Sequence, residues 1–162
     1  GGTDALLAAE AHPGTFQAVV TWSGALELNG ASLFAGTSFE DAYAQAKKEG
    51  FYTMTFDWRE PLELGERWFQ EVAETNILKV TADIKAPILA INGKDDTTVT
   101  PDNAEKIVKA AANADSQLLL VDNCDHTYNV FSGDFTALYQ TVDATAAFFQ
   151  AQLIPAAAQA AA

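Results

Sequence analysis

The stretch Pro87-Ile88-Leu89-Ala90-Ile91-Asn92-Gly93-Lys94-Asp95-Asp96-Thr97-Thr98-Val99-Thr100-Pro101 holds a strand, a polar loop and a helix start in one short passage. Pro87 to Ile91 is a continuous apolar run with no alternation of polar and apolar positions, which predicts a strand buried on both faces. Asn92-Gly93 closes it. At the far end Thr100 is placed as an N-cap and Pro101 at the first helical position. Asp102 and Glu105 follow in the first turn, predicting a helix to about Ala112.

Working outward, Phe16 to Thr21 and Gln117 to Val121 are two more short apolar runs bounded by turn formers, and each predicts a buried strand. Gly2 to Ala11 is rich in helix formers and is stopped by Pro13-Gly14. Leu138, Val142, Ala146, Phe149 and Leu153 recur at helical spacing, which predicts a long amphipathic helix starting near Phe135. Strands separated by helices imply right-handed crossovers, so the expected fold class is α/β, a parallel sheet with flanking helices.

Residues 27–83 break this rhythm, being far longer than an ordinary connection. The segment carries Phe34, Phe39, Tyr43, Phe51, Tyr52, Phe56, Trp58, Trp68 and Phe69, nine of the seventeen aromatic residues. It reads as a helical, aromatic-rich insertion, either a satellite core or a cap whose side chains line a pocket. The expected organisation is therefore a core of residues 1–26 and 84–154, a cap of residues 27–83, and a low-complexity tail of residues 155–162.

With 9 basic against 22 acidic residues in 162, the formal charge is −13. A chain with no basic cluster cannot neutralise phosphates, so nucleic acid is excluded as a partner. Its 49% hydrophobic and 19% charged composition fits a globular domain rather than an acidic disordered tail. No run of roughly eighteen apolar residues predicts a membrane span. The single cysteine, Cys124, allows no internal disulfide, and the compartment is left open.

Two strand-end loops carry reactive side chains, Gly93 to Pro101 and Asp122-Asn123-Cys124-Asp125-His126-Thr127-Tyr128-Asn129. A carboxylate and an imidazole on adjacent strand ends can meet, the carboxylate holding one ring nitrogen so that the other acts as a base. Asp96 and His126 are the candidates, with Asp95 a rival acid one position early. His12 follows a helix C-terminus, where the dipole favours a cation. Ser23 lacks the glycine two positions before it that a sharp nucleophile turn uses. Cys124 reads as a small buried hydrophobe. Asp95, Asp96, Asp122 and Asp125 lack calcium-loop spacing, and no metal site is expected.

Gly93, Asp96, Val99 and Pro101, followed after one strand by Asp125-His126, resemble the acid and histidine loops of the α/β-hydrolase superfamily. Gly1-Gly2 before a small-residue helix resembles the end of that family's G-x-S-x-G nucleophile elbow. The resemblance covers nearly the whole chain as the C-terminal half of the fold, and it is nearest to carboxylesterases of the cinnamoyl/feruloyl type. It implies a Ser-His-Asp triad in which Asp96 orients the imidazole and His126 is the base, with the serine falling before residue 1. It further implies a small-molecule ester substrate, no cofactor, and the N-terminal half of the same fold as partner. The 162 residues alone would then be inactive and would leave a strand edge bare. Trp22, Phe51, Tyr52, Trp58 and Tyr128 are the candidate pocket residues. A prolyl-oligopeptidase-type peptidase and a non-catalytic ligand- or protein-binding module are the alternatives.

Overall fold

A computed structural model of the chain describes residues 1–29, 34 and 36–153, and these fall into two compact units. The first comprises Gly1–Leu26 and Asn76 onward, and the second is Glu27–Thr75. The tail at residues 155–162 lies outside the described residues.

In the first unit the elements are α1 (Gly2–Ala11), β1 (Val19–Trp22), α4 (Ile77–Asp83), β4 (Ile88–Gly93), α5 (Asp102–Ala110), β5 (Gln117–Val121) and α6 (Thr136–Leu153). The strands form a parallel sheet in the order β1-β4-β5. β4 is buried at every position, as its unbroken apolar run requires. Ile88 and Ala90 face a core built with Leu6, Ala9, Val19, Ile77, Ala104 and Ile107, whereas Leu89 and Ile91 face Val121, Cys124, Tyr128, Ala137 and Phe148. Trp22 pairs with Ile91 and Gly93 pairs with Val121, so all three strands finish at the same, carboxyl end of the sheet.

Three expectations shift. β1 begins at Val19 rather than Phe16, because pairing with β4 starts at Val19 opposite Ile88, and Phe16 is left exposed. β5 is an edge strand among the described residues, so Gln117 and Leu118 are exposed rather than buried. The other edge of β1 likewise pairs with no strand among the described residues. In α6 the buried face is Ala137, Thr141 and Phe148, while Val142 and Leu153 from the predicted stripe are exposed. Small residues let this helix approach the sheet, and the Thr141 hydroxyl is satisfied inside the helix by the Ala137 carbonyl at 2.9 Å.

The predicted insertion extends to residue 83, but the second unit ends at Thr75. α4 packs with α1 and α5 in the first unit, with Ile77 in their shared core. The second unit contains α2 (Phe39–Glu49), β2 (Phe51–Met54), β3 (Leu62–Gly65) and α3 (Glu66–Glu74). Ser38 caps α2 by accepting the Asp41 amide at 3.0 Å, and Gly50 ends it with φ 90°, a conformation that favours glycine. β2 and β3 form an antiparallel pair. Phe34, Phe39, Ala42, Ala46, Met54 and Phe69 make a core of their own, in which the Phe69 ring stacks on Tyr43 at 5.4 Å.

Candidate active site

The carboxyl ends of β4 and β5 lead into the two reactive loops, and a close backbone approach holds those loops together. A β-carbon on Gly93 would lie 2.1 Å from the Cys124 carbonyl oxygen, so only glycine fits there. The Asp95 amide donates to that same carbonyl at 3.0 Å, and the Lys94 amide donates to the Val121 carbonyl at 2.9 Å. The Lys94 ammonium also reaches Asp122 across the gap at 2.6 Å, an exposed pair that adds little stability.

This contact brings Asp96 to His126. Their side chains meet with Asp96 Oδ2 2.9 Å from His126 Nδ1. Asp96 is 2% exposed, and its other oxygen, Oδ1, accepts the Thr98 and Val99 amides at 2.9 and 2.8 Å. Asp95, the rival acid, points to solvent. A carboxylate holding Nδ1–H leaves Nε2 as the imidazole's proton acceptor. The His126 side chain is 40% exposed, so the imidazole is partly accessible to solvent while Asp96 is buried beneath it.

The histidine loop is itself tightly knit. Asp125 Oδ1 accepts the Asn129 amide at 3.0 Å and both the amide and hydroxyl of Thr127 at 2.8 Å. The Asn129 amide and the Thr127 hydroxyl hold the Asp125 carboxyl below its ordinary pKa. Asn129 accepts the Asp125 amide in return and donates to the Asn123 carbonyl at 2.6 Å.

Tyr128, expected at a pocket wall, is buried, with its ring on Trp22 at 5.2 Å between centroids. Its hydroxyl lies 3.2 Å from Ser23 Oγ, and burial pushes its pKa up to about 12. Ser23 and Tyr128 both adopt positive φ, 46° and 55°, an uncommon conformation for such residues. Trp22 is half-buried and donates its indole N–H to Thr145 at 3.0 Å. The remaining pocket candidates belong to the second unit. Phe51 is exposed on β2, Tyr52 is half-buried against Phe34 and Phe69, and Trp58 is 78% exposed with Phe56 and Arg59 beside it.

The start of α1 reaches the same neighbourhood. A β-carbon on Gly2 would lie 2.7 Å from Gly24 Cα, so the helix N-terminus packs directly on the turn that carries Ser23. Cys124 is fully buried, and burial followed by the neighbouring Asp125 raises its pKa to about 11, which leaves a neutral thiol. His12 is exposed behind the C-terminus of α1.

A family model matches residues 1–160, the Esterase family, described as "Putative esterase". The chain belongs to the Esterase family. Among solved structures this esterase-family chain is similar to Est1E from Butyrivibrio proteoclasticus with ferulic acid bound. The two are 18% identical with a TM-score of 0.71, over 96% of this chain and 57% of that one. It is also similar to the α/β hydrolase GrgF from Penicillium sp. sh18, at 14% identity and a TM-score of 0.66 over 94% and 61%. A third is a monoacylglycerol lipase from Paleococcus ferrophilus, at 18% identity and a TM-score of 0.60 over 78% and 56%. The chain thus spans about three fifths of these structures, and the likeness is one of fold, the α/β-hydrolase fold. No curated protein matches it.

Two features missed in the sequence matter to the site. Asn92, read only as a strand terminator, lies fully buried behind Asp96. The Ser23 hydroxyl, on a turn that lacks the elbow glycine, is engaged by Tyr128, 105 positions away. Among the described residues no group of three or more His, Cys, Asp or Glu could hold a metal ion, and no helix is long and apolar enough to cross a membrane.

Proposed function

We propose that the protein hydrolyses carboxylic esters through a Ser-His-Asp triad, with Asp96 orienting the imidazole, His126 as general base and acid, and the serine in sequence preceding Gly1. The observation that carries this reading is the 2.9 Å contact between Asp96 and His126 Nδ1, made in the loops after adjacent parallel strands with the imidazole side chain 40% exposed. In that arrangement Nε2 takes the serine proton as the hydroxyl attacks the ester carbonyl and delivers it to the departing alkoxide, which leaves as the alcohol. Nε2 then takes a proton from the water that attacks the acyl-serine and returns it to the serine oxygen, releasing the acid. Asp96 fixes the tautomer and stabilises the transient imidazolium. The position of Gly2 against Gly24 supports an elbow at the start of α1, where backbone N–H groups would hold the oxyanion.

The second unit is assigned the role of a cap. Its aromatic residues Phe51, Tyr52 and Trp58 are candidate substrate contacts, and Trp22 and Tyr128 are separate candidates within the first unit. An aromatic acyl group is favoured because ferulic acid is the molecule bound in the similar Est1E structure.

The test is hydrolysis of feruloyl and aliphatic esters by protein that includes the residues before Gly1, alongside H126A. The expected result is turnover that falls by about 10⁴-fold or more in the variant. Residues 1–162 alone should give none. Retained activity in H126A overturns the assignment, and faster cleavage of the matched amide redirects it to a peptidase. A folded protein with neither activity, unlabelled by a fluorophosphonate probe, is a binding module.

A further inference from the structure

We propose that Asn92 is a positioning residue that sets the orientation of the Asp96 carboxylate toward His126. This rests on the triad reading above. Asn92 is the penultimate residue of β4, is fully buried, and sits one position before the chain leaves the strand for the acid loop. Its amide nitrogen lies 3.2 Å from the Gly93 carbonyl oxygen at the start of the loop and 2.9 Å from the Val99 carbonyl oxygen at its end. It also lies 3.4 Å from Asp96 Oδ2, the oxygen that receives His126 Nδ1.

One NH₂ group thus ties both ends of a seven-residue turn to the carboxylate inside it. The consequence is geometric. Asp96 Oδ1 is fixed by the Thr98 and Val99 amides, and those amides keep their place only while the Val99 end of the loop is held. Asn92 supplies that hold through the Val99 carbonyl and contacts Oδ2 directly, so the rotation of the carboxyl group is defined from both sides. With Oδ2 fixed, the imidazole is kept in the tautomer that carries its proton on Nδ1.

The other half of the Asn92 side chain argues the same way. Its Oδ1 is buried with no hydrogen-bond partner, a destabilising feature that a leucine of similar volume would remove. The amide at this position therefore contributes through its NH₂, and the groups that receive the NH₂ all belong to the acid loop.

The experiment compares the wild type with N92L and N92D in the protein that includes the residues before Gly1. N92L removes the donors, and N92D keeps the shape but turns the donor end into an acceptor. Circular dichroism and thermal melting select the variants that fold. Nitrogen-15 spectra of the His126 ring, assigned by loss of signal in H126N, read the tautomer. The wild type should be protonated on Nδ1, and the folded variants should shift toward the Nε2-protonated form that dominates free histidine. Their kcat should fall by about 10- to 100-fold with KM within about twofold, the pattern of an interaction made in the transition state.

Wild-type tautomer and kcat in either folded variant overturn the proposal, and N92D covers the case in which N92L fails to fold. A tautomer shift in a wild-type background that hydrolyses no ester leaves the positioning role standing and removes the esterase reading instead.

Discussion

Gly93 and Cys124 approach so closely that the first has no room for a side chain. The obstructing atoms are the carbonyl carbon and oxygen of Cys124 together with its sulfur, and the backbone atoms cannot swing aside as a flexible side chain would. G93A should therefore push the acid and histidine loops apart. We expect a loss of about 3 kcal/mol or more, measured by chemical denaturation, together with loss of ester hydrolysis. Near-wild-type stability would show that the loops slide past each other freely.

D96N removes the charge behind His126 and keeps the shape. Its kcat should fall by about 10³- to 10⁴-fold with KM little changed, as measured by steady-state hydrolysis of a chromogenic ester, because the imidazole is left in the wrong tautomer. D95N, at an exposed site, should lie within about twofold of wild type. A reversal of the two results would reassign the acid.

The Ser23–Tyr128 hydrogen bond joins the turn after β1 to the histidine loop, and Tyr128 also donates to the Ile91 carbonyl at 3.4 Å. Y128F leaves the Ser23 hydroxyl buried without its partner and should cost about 1–2 kcal/mol. A double-mutant cycle with S23A should return a coupling of about 0.5–1.5 kcal/mol. Additive single effects would mean that the two hydroxyls do not bond in solution.

The carboxyl of Asp125 is held below its ordinary value by groups that fold with it. Its charged form is therefore favoured in the native state, and the unfolded chain binds more protons as the pH falls. That stabilising contribution is complete above the unfolded carboxylate value near 4 and is lost as the pH drops through the folded value. Asp102, paired with Lys106, and Asp134, bonded to Thr136, act in the same direction. Thermal melts between pH 7 and pH 3 should fall less steeply for D125N than for wild type, and equal slopes would refute the contribution of this loop.

Cys124 should resist thiol reagents. With its pKa raised to about 11 and no exposed surface, the native protein should show negligible labelling by a disulfide reagent at pH 8, while denatured protein reacts fully. Rapid native labelling would mean that the loop opens around Gly93.

Apolar runs and loop residue types made the sheet and the meeting of Asp96 with His126 legible, because burial on both faces of β4 leaves an unbroken hydrophobic signature and a loop after a strand has few places to go. Asp96 was separable from Asp95 only by spacing to Val99 and Pro101, and burial then distinguishes them in space. In α6 Leu138 and Phe149 of the expected stripe do pack on the core, but the buried positions are Ala137, Thr141 and Phe148, because small residues such as Ala137 set how closely the helix docks and hydrophobicity does not rank them. The start of α5 fell one residue late. Pro101 already has helical angles of −55° and −28° but occupies the capping position, and Thr100 bonds Asp102 instead. Asn92 and the Ser23–Tyr128 bond were illegible, since their meaning lies in which distant atoms face them.

The chain leaves the first unit after Leu26 and re-enters it at Asn76, having built a separate aromatic core in between. Trp22, Asn92, Asp96 and His126 all come from outside that interval. A graft that exchanges residues 27–75 for a foreign module of matched end spacing would replace Phe51, Tyr52 and Trp58 and leave the Asp96–His126 contact untouched. On the proposed reading, recognition of the acyl group and cleavage of the bond can diverge separately. New preferences could arise by recombination at two points, without retuning the chemistry residue by residue.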